Sequence, residues 1–392
     1  MGILQPSYIS LWRVMVREWR RILSQPIMLL CIGGVPLFAI IFFGTMLYNG
    51  LPEKIPVAIV DMDNSHTSHM FISRLNALQS VDVVMTVDNF SEGRKAMQRN
   101  EVLGMLLIPE DFEQRTFDAK QPIISFYTND AFLIPGSLLY KSFTTMSVLA
   151  SAEVVQDVML SVGLTEHRIM SLLQPITIDS CALGNPWLNY SVYLCNSFIP
   201  TILQLMVLLV TTYAIAGELK KGSVRSWLLA SRGSRSVALI GKLAVYAMLF
   251  VVVGLLLQSI MYGYMRFPFH TTPYSMIVAM VLLVMASQAV VVITIALSPT
   301  LPVAYSTVSV VGVVTFSLGG FSFPVADMYV PFRLLTNLLP MRHYFLIYVN
   351  NALNGYPVYY CRYSYVALMV FVVVAIILLP RLCSVMASYE KR

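Results

Sequence analysis

The chain has 392 residues, of which 57% are hydrophobic and only 12% are charged. This composition excludes an ordinary soluble protein and favours a protein that folds in a membrane. The formal net charge of +6 does not indicate nucleic-acid binding, because the basic residues cluster beside apolar runs, where anionic lipid or a protein partner would meet them.

Six runs with at most one charge each are long enough to cross a membrane, which takes about 20 helical residues. They cover residues 27–48, 190–216, 237–265, 274–297, 302–323 and 363–379. The third run carries Lys242 near its start, and we expect this side chain to reach the membrane surface. The first run follows a polar lead of 26 residues, so we expect a retained anchor and not a cleaved signal peptide.

Three basic groups flank these runs. They are Arg13, Arg17, Arg20 and Arg21; then Lys220, Lys221, Arg225, Arg232 and Arg235; then Arg381, Lys391 and Arg392. The positive-inside rule places all three groups in the cytoplasm, so both termini are expected there. Residues 49–186 hold 16 of the 20 acidic residues, and they are expected on the opposite side of the membrane.

The segment 49–186 shows the mixed periodicity of an α/β domain. Short β-rich runs lie at 57–61, 81–87, 102–109 and 122–128. Between them, helices are predicted from Asn64 or Ser65 to Gln79, from Ser91 to Arg99, and from the stretch PEDFEQ onward. A long helix or a broken pair is predicted over 135–174, as a stalk that returns to the membrane.

The stretch DMDNSHTSH at 61–69 contains four residues of metal-ligand type. These are Asp61, Asp63, His66 and His69. The stretch departs from the EF-hand pattern at Ser65 and His66, and its histidine pair falls short of a zinc template. We therefore favour a strand end that leads into a capped helix, and we assign no metal site.

The sequence has no P-loop, no G-x-S-x-G and no H-E-x-x-H motif, so we predict no catalytic residue and no cofactor in this chain. Five cysteines do not indicate a disulfide framework. Cys181 and Cys361 are both expected near the outer membrane surface, and their pairing stays open.

Four neutral amides lie within the apolar runs: Asn196, Gln204, Gln258 and Gln288. Such groups either hydrogen-bond between helices or line a substrate pathway, for which Asn196, Gln204 and Gln288 are candidates. No ionisable residue lies deep in a run, which disfavours an ion-coupled transporter.

The stretch GELKKGSVRSW at 217–227 places four charges and two glycines between two apolar runs. The pattern fits a cytoplasmic turn with a short helix along the membrane surface, and it fits a solvated loop equally well. The overall order of one anchor, a large insertion and five spans, with this stretch after the second span, resembles the permease subunits of ATP-binding-cassette type 2 exporters.

This resemblance covers nearly the whole chain and implies several functional segments. The charged loop, 217–236, resembles the coupling helix that docks on a separate ATPase subunit. The residues implied are Glu218, Lys220, Lys221, Gly222, Ser223 and Arg225. The stretch VAIVDMDNSHTS also resembles the family's opening of the outer domain.

Two further segments carry the resemblance. The stretch at 319–344, GGFSFPVADMYVPFRLLTNLLPMRHY, resembles a pair of re-entrant helices that form the outer gate, and the implied residues are Gly319, Gly320, Phe321, Phe323, Pro324, Met328 and Pro340. At the N-terminus, Ile9, Trp12, Val16 and Trp19 share one face of an amphipathic interfacial helix. This helix resembles the family's connecting helix, which implies roles for Trp12, Arg13, Arg17 and Trp19.

The expected architecture is an α-helical membrane protein with six transmembrane helices and an inserted extracytoplasmic α/β domain. Its parts are an interfacial helix at 1–26, a span at 27–48, the domain at 49–186, a five-span region at 187–382 with a re-entrant segment at 319–345, and a cytoplasmic tail at 383–392.

The resemblance implies a permease of the cytoplasmic (inner) membrane that exports a hydrophobic or amphipathic small molecule, either drug-like or lipid-like. Its implied partners are an ATPase subunit that binds ATP and Mg, a second permease copy or a close homologue, membrane lipids and, in a cell with two membranes, a periplasmic adaptor protein. The main alternative is a membrane-anchored sensor or scaffold whose outer domain binds a ligand or protein. A secondary transporter with inverted repeats is disfavoured because the chain does not divide into two halves.

Overall fold

The computed structural model describes residues 5–48, 50–118, 120–161, 168–169, 184–185 and 189–390. It is mostly helical and divides into two compact units, one of Met1–Gly50 with Ala182–Arg392 and one of Leu51–Cys181. Among its described residues, the first unit contains six helices that are long and apolar enough to cross a membrane, in agreement with the six predicted spans.

The chain begins with helix α1, Gln5–Ser24, which is followed by the first candidate span, α2, Pro26–Met46. A π-helical turn at Leu30–Gly34 interrupts α2. Between the two helices, Gln25 adopts an extended backbone and Pro26 opens α2. A residue before proline avoids the helical conformation, and proline is well suited to the first position of a helix. This junction therefore separates α1 from the span.

The second unit is built on a four-stranded sheet of order β2-β1-β3-β4. Its strands are β1 Ile55–Asp61, β2 Val81–Val87, β3 Gly104–Ile108 and β4 Ser125–Thr128. β1 pairs parallel with β2 and β3, whereas β4 pairs antiparallel with β3. Val57, Ala58, Ile59 and Val60 are all fully buried, so both faces of β1 are covered, as a central parallel strand requires.

In the described part of this unit, four helices accompany the sheet. They are α3 His66–Asn76, α4 Phe90–Gln98, α5 Phe112–Phe117 and α6 Leu133–Ser161. α6 starts close to the predicted residue 135, and the rest of the predicted 135–174 stretch lies largely outside the described residues. Cys181 also lies outside them, so its pairing with Cys361 stays open.

The stretch at 61–69 connects β1 to α3, as the sequence predicted. Ser65 caps α3 by accepting a hydrogen bond from Ser68 N, and the Ser68 hydroxyl donates to Asp61 at 2.7 Å. Asp63 accepts hydrogen bonds from the backbone N–H groups of Phe112 and Glu113 at the start of α5. The two aspartates thus satisfy backbone and hydroxyl donors at helix starts.

The first unit, which we call the membrane unit, resumes with α7, Tyr190–Lys221. The first backbone N–H of α7 donates to Gly50 O at 2.8 Å. The unit continues with α8 Val224–Ala230 and α9 Arg235–Tyr264, which ends in a π-helical turn. The predicted loop 217–236 is therefore mostly helical: its first five residues form the last turn of α7, and its centre is the predicted short helix. Gly222, with φ +65°, ends α7.

The remaining helices are α10 Pro273–Leu297, α11 Leu301–Leu318, α12 Val330–Thr336, α13 Pro340–Ile347 and α14 Arg362–Glu390. The fifth span ends at Leu318 and not at the predicted residue 323, because Gly320 turns the chain with φ +89°. The last helix continues through Pro380 to Glu390, so residues 383–390 extend this helix and do not form a separate tail.

α7 is the central helix of the membrane unit, with 72% of its most apolar window buried against 17% for the last span. Close packing is visible at Gly254 on α9, where an added Cβ would lie 2.8 Å from Met280 Cγ and 3.0 Å from Leu203 Cδ2. A glycine at this position lets three helices approach closely without side chains between them.

Candidate functional site

A buried group of charges joins α1, α7 and α9. Outside residues 49–186 the sequence contains only four acidic residues: Glu18, Glu218, Asp327 and Glu390. Glu18 and Glu218 are 0% and 1% exposed, and their carboxylates lie 3.2 and 3.0 Å from Nζ of Lys242, which is itself fully buried. Buried charges of this kind are stable only when they are paired and hydrogen-bonded.

Two arginines of α1 complete the group. Arg17 Nη1 lies 2.7 Å from Glu18 Oε1 and 3.0 Å from Glu218 Oε1, and its Nη2 lies 3.2 Å from Glu218 Oε2. Arg21 forms a further ion pair with Glu218. We call Arg17, Glu18, Arg21, Glu218 and Lys242 the Glu218 cluster; with three cations and two carboxylates it has a net charge of +1.

The helical period explains why α1 supplies three members of the cluster. Arg17, Glu18 and Arg21 lie within one turn on the side of α1 that also buries Val14 and Ile22, as residues three and four apart share a face. The opposite side of α1 is exposed.

Helix α8 is fixed to the cluster by Trp227. Lys242 Nζ lies 4.1 Å from the centroid of the Trp227 ring, and the buried indole donates from Nε1 to Ala238 O at 3.2 Å. Lys242 also donates to Ala214 O at 3.0 Å, and the Ser223 hydroxyl donates to Glu218. Such a cation–π contact in a desolvated site contributes roughly 2 kcal/mol, so α8 is held against the cluster.

The predicted coupling residues divide into a buried and an exposed set. Glu218 is enclosed in the cluster and Ser223 is half-buried, whereas Lys220, Lys221, Gly222 and Arg225 are exposed. Leu229 on α8 is 79% exposed. The accessible surface of this segment is therefore basic with one apolar residue, and contact with an ATPase stays a prediction.

The expectation that Lys242 reaches the membrane surface is wrong. Its side chain is fully buried because Glu18 and Glu218 offer it two carboxylates, which a lipid-facing position does not. Sequence reasoning also missed Glu18, Arg21 and Trp227 as site residues. Their available signal was the scarcity of acidic residues outside 49–186.

The predicted interfacial residues lie on α1, which forms the expected helix. Trp12 and Trp19 are 66% and 41% exposed, and Arg13 is exposed too. Arg17 instead belongs to the Glu218 cluster. The position of α1 at a membrane surface stays a prediction.

The predicted gate residues do not form one cluster. Phe321 is buried and packs edge-on against Phe198 and Phe345, with centroids 5.9 and 5.5 Å away, whereas Phe323 is 52% exposed. The glycines and prolines of this segment mark the ends of its helices and its turns. Gly319 ends α11, and Gly320 makes the turn that follows. Pro324 is exposed and precedes a 3₁₀ turn at Val325–Asp327, and Pro340 begins α13. The two short helices of this segment are observed, and their re-entrance stays a prediction.

Three of the four amides make hydrogen bonds between helices. Tyr262 donates to Asn196 Oδ1 at 2.8 Å, Gln258 donates to Tyr344 and Met276 O, and Gln288 donates to Leu243 O at 3.2 Å. Gln204 differs, because it is 1% exposed and neither of its amide atoms has a partner among the described residues. It remains the strongest candidate for pathway lining.

Gln204 belongs to a polar stripe of α7. Ser197, Gln204, Thr211 and Glu218 follow each other at intervals of seven residues, which keeps them on one face of the helix. All four are buried. The stripe leads from the Glu218 cluster toward the other end of the span.

Comparison with known families gives one match. Residues 26–379 match the family model described as ABC-2 family transporter protein. The comparison with curated proteins found no match. The matched range contains Glu218 and Lys242, whereas α1 with Arg17, Glu18 and Arg21 precedes it.

Proposed function

The chain belongs to the ABC-2 family of transporter proteins, and we propose that it is the permease subunit of an ATP-driven exporter. The ATP and Mg sites belong to a separate ATPase subunit, because this sequence has no P-loop. The exported substrate is a hydrophobic or amphipathic small molecule.

The Glu218 cluster is the observation that carries this proposal. It ties the charged segment 217–236, which comprises the last turn of α7 and helix α8, to α1 and α9 through ion pairs that span up to 201 positions of sequence. Removing one partner from a buried ion pair costs about 3–5 kcal/mol. A push on α8 therefore moves α1 and the ends of α7 and α9 together, as coupling to an ATPase requires.

The exposed side of the same segment supplies the docking surface. Lys220, Lys221 and Arg225 offer positive charge, and Leu229 offers an apolar contact at 79% exposure. We expect an acidic rim and an apolar pocket on the ATPase, an arrangement that gives specificity and rapid association.

The transport pathway is proposed to lie between two copies of the chain, or one copy and a close homologue, along their second and fifth spans. The fifth span, α11, is only 22% buried in its most apolar window, and its sequence contains the small residues that permit close helix contact. The basic groups support an orientation with both termini in the cytoplasm and the Leu51–Cys181 unit on the outer side. We propose the inner membrane as the location of the chain.

Co-purification from the native membrane tests the proposal. We expect an ATPase subunit to accompany the full chain and to be lost in the double variant Lys220→Glu with Leu229→Glu, which changes two exposed residues and leaves the buried cluster intact. The control is Lys141→Glu with Leu133→Glu, the same changes at exposed positions of the other unit.

Two outcomes would contradict the proposal. If no ATPase accompanies the native chain in gentle detergent, the chain is better explained as a sensor or scaffold. If the control loses the ATPase as readily as the test variant, the charged segment 217–236 is not the docking surface.

A further inference from the structure

A shallow groove of about 470 Å³ runs along the exposed side of α1. Its walls are Trp12, Arg13, Val16, Arg17 and Arg20. Trp12 is 66% exposed, and Arg13 and Arg20 are exposed as well. The groove therefore presents three guanidinium groups and an indole ring on one accessible surface.

The groove follows the boundary between an apolar and a basic side of α1. At about 100° per residue, Trp12 and Val16 fall on one side of the helix and Arg13, Arg17 and Arg20 fall on the adjacent side. The apolar side continues through Trp19 and Leu23, which are 41% and 57% exposed, to Ile27 of α2, which is 75% exposed. The groove therefore lies on the helix that directly precedes the first candidate span in sequence.

The charge around the groove is positive and unopposed. In the described part of the chain, neither Arg13 nor Arg20 forms an ion pair with a carboxylate. The nearby acids, Glu18 and Glu218, are buried and already paired, and the Glu218 cluster keeps a surplus of one positive charge. Arg13 and Arg20 raise this local surplus to +3.

We propose that the groove binds one anionic phospholipid, with its phosphate among Arg13, Arg17 and Arg20 and an acyl chain along Trp12 and Val16. Arginine binds phosphate oxygens with paired hydrogen bonds, and indole rings favour the boundary between headgroups and acyl chains. An acidic protein segment would match the arginines, but it would leave the apolar side and its continuation on α2 uncovered.

The site reaches the Glu218 cluster through Arg17, which lines the groove and binds both buried carboxylates. A bound phosphate offsets the positive surplus beside Glu218. The lipid site does not depend on ATP-driven transport. With the cytoplasmic N-terminus proposed above, the groove would face the inner leaflet.

Native mass spectrometry of the purified full-length chain tests the site. The chain is placed in bilayers of equal phosphatidylglycerol and phosphatidylcholine and extracted without ATPase, and the retained lipids are counted. We expect phosphatidylglycerol to be retained in preference. Arg13→Gln with Arg20→Gln should lower its affinity about 25-fold, because each basic residue at an anionic surface contributes about fivefold. Trp12→Ala should lower retention without changing charge.

The control is Arg94→Gln with Arg115→Gln, which removes the same charge from exposed positions of the Leu51–Cys181 unit. It should change retention by less than about twofold. The proposal fails if the native chain retains both lipids equally, or if the control loses phosphatidylglycerol as strongly as the groove variant. It also fails if the groove variant keeps the lipid but no longer co-purifies with an ATPase, which would assign the groove to that partner.

Discussion

At the scale of single residues, Lys242 shows how strongly a buried charge depends on its partners. Its ammonium lies 3.2 Å from Glu18, 3.0 Å from Glu218 and 4.1 Å from the Trp227 ring centroid. The surplus of one cation in the Glu218 cluster means that the carboxylates, and not Lys242, are the scarce component. Loss of either acid therefore leaves two cations in excess.

We expect Lys242→Met to destabilise the chain by about 3–5 kcal/mol, because it leaves buried charges with fewer partners. Lys220→Met, at an exposed position, should change stability by less than about 0.5 kcal/mol. Adding Glu18→Gln to Lys242→Met removes both partners of one buried ion pair and returns the cluster to its native net charge of +1, so the double variant should lose less stability than the sum of the single variants. Denaturant unfolding in detergent measures the stability of these three variants and of Glu18→Gln alone. If the stability losses of Lys242→Met and Glu18→Gln simply add in the double variant, the two residues do not interact and the cluster is contradicted.

Gln204 allows a different test, because its amide has no partner among the described residues. Gln204→Leu should raise stability by about 1 kcal/mol, since it removes an unsatisfied buried group, and it should reduce transport if the amide meets the substrate. Gln258→Leu is the matched control: it removes hydrogen bonds to Tyr344 and Met276 and should lower stability. A Gln204→Leu variant with full transport activity would remove this residue from the pathway.

At the scale of helices, the end of α7 determines where α8 begins. Gly222 has φ +65°, and no atom lies within 4 Å of a Cβ added there. Any effect of substitution at this position is therefore one of backbone conformation and not of packing.

We expect Gly222→Val to destabilise this turn by about 1–2 kcal/mol, the cost of a left-handed conformation for an ordinary residue, and to weaken ATPase co-purification. Gly222→Asn should cost less, because asparagine tolerates this conformation. Gly263→Val serves as the control, since Gly263 also has open space around it but does not adopt the left-handed conformation. Equal losses from Gly222→Val and Gly263→Val would show that the turn has no special role.

The helices also show what the sequence can predict. All six spans were predictable because apolar length is imposed by the membrane itself, and the strands followed from short β-rich runs. The ends of the helices were less predictable, because a helix can continue after its apolar run has ended. α7 continues past Ala216 to Lys221, and α14 continues through Pro380 to Glu390. The Glu218 cluster was not predictable, because its contacts join residues about 200 positions apart and no local pattern encodes them.

At the scale of the whole molecule, the residue at which the chain leaves the membrane unit, Gly50, lies beside Tyr190, where α7 begins. Gly50 and Tyr190 share a backbone hydrogen bond of 2.8 Å, although 131 residues of the Leu51–Cys181 unit lie between them in sequence. The first and second spans are therefore held together by their own contacts.

We expect replacement of residues 51–181 by a short Gly-Ser linker to leave the membrane unit folded and its ATPase co-purification intact. Deletion of residues 5–24 should instead lower thermal stability, because it removes Arg17, Glu18 and Arg21 from Glu218 and Lys242. Melting temperatures in detergent distinguish the two variants. Unfolding of the linker variant would show that the spans depend on the sheet unit.

The Glu218 cluster also has a consequence for biosynthesis. The ribosome makes Arg17, Glu18 and Arg21 first, Glu218 some 200 residues later and Lys242 after that. During translation, Arg17, Glu18 and Arg21 therefore have only one another as partners until Glu218 and Lys242 have been made. The cluster closes only after synthesis has passed the third candidate span, which ends at Tyr264 of 392 residues, so its formation marks the point at which a nascent chain has its first three spans correctly arranged.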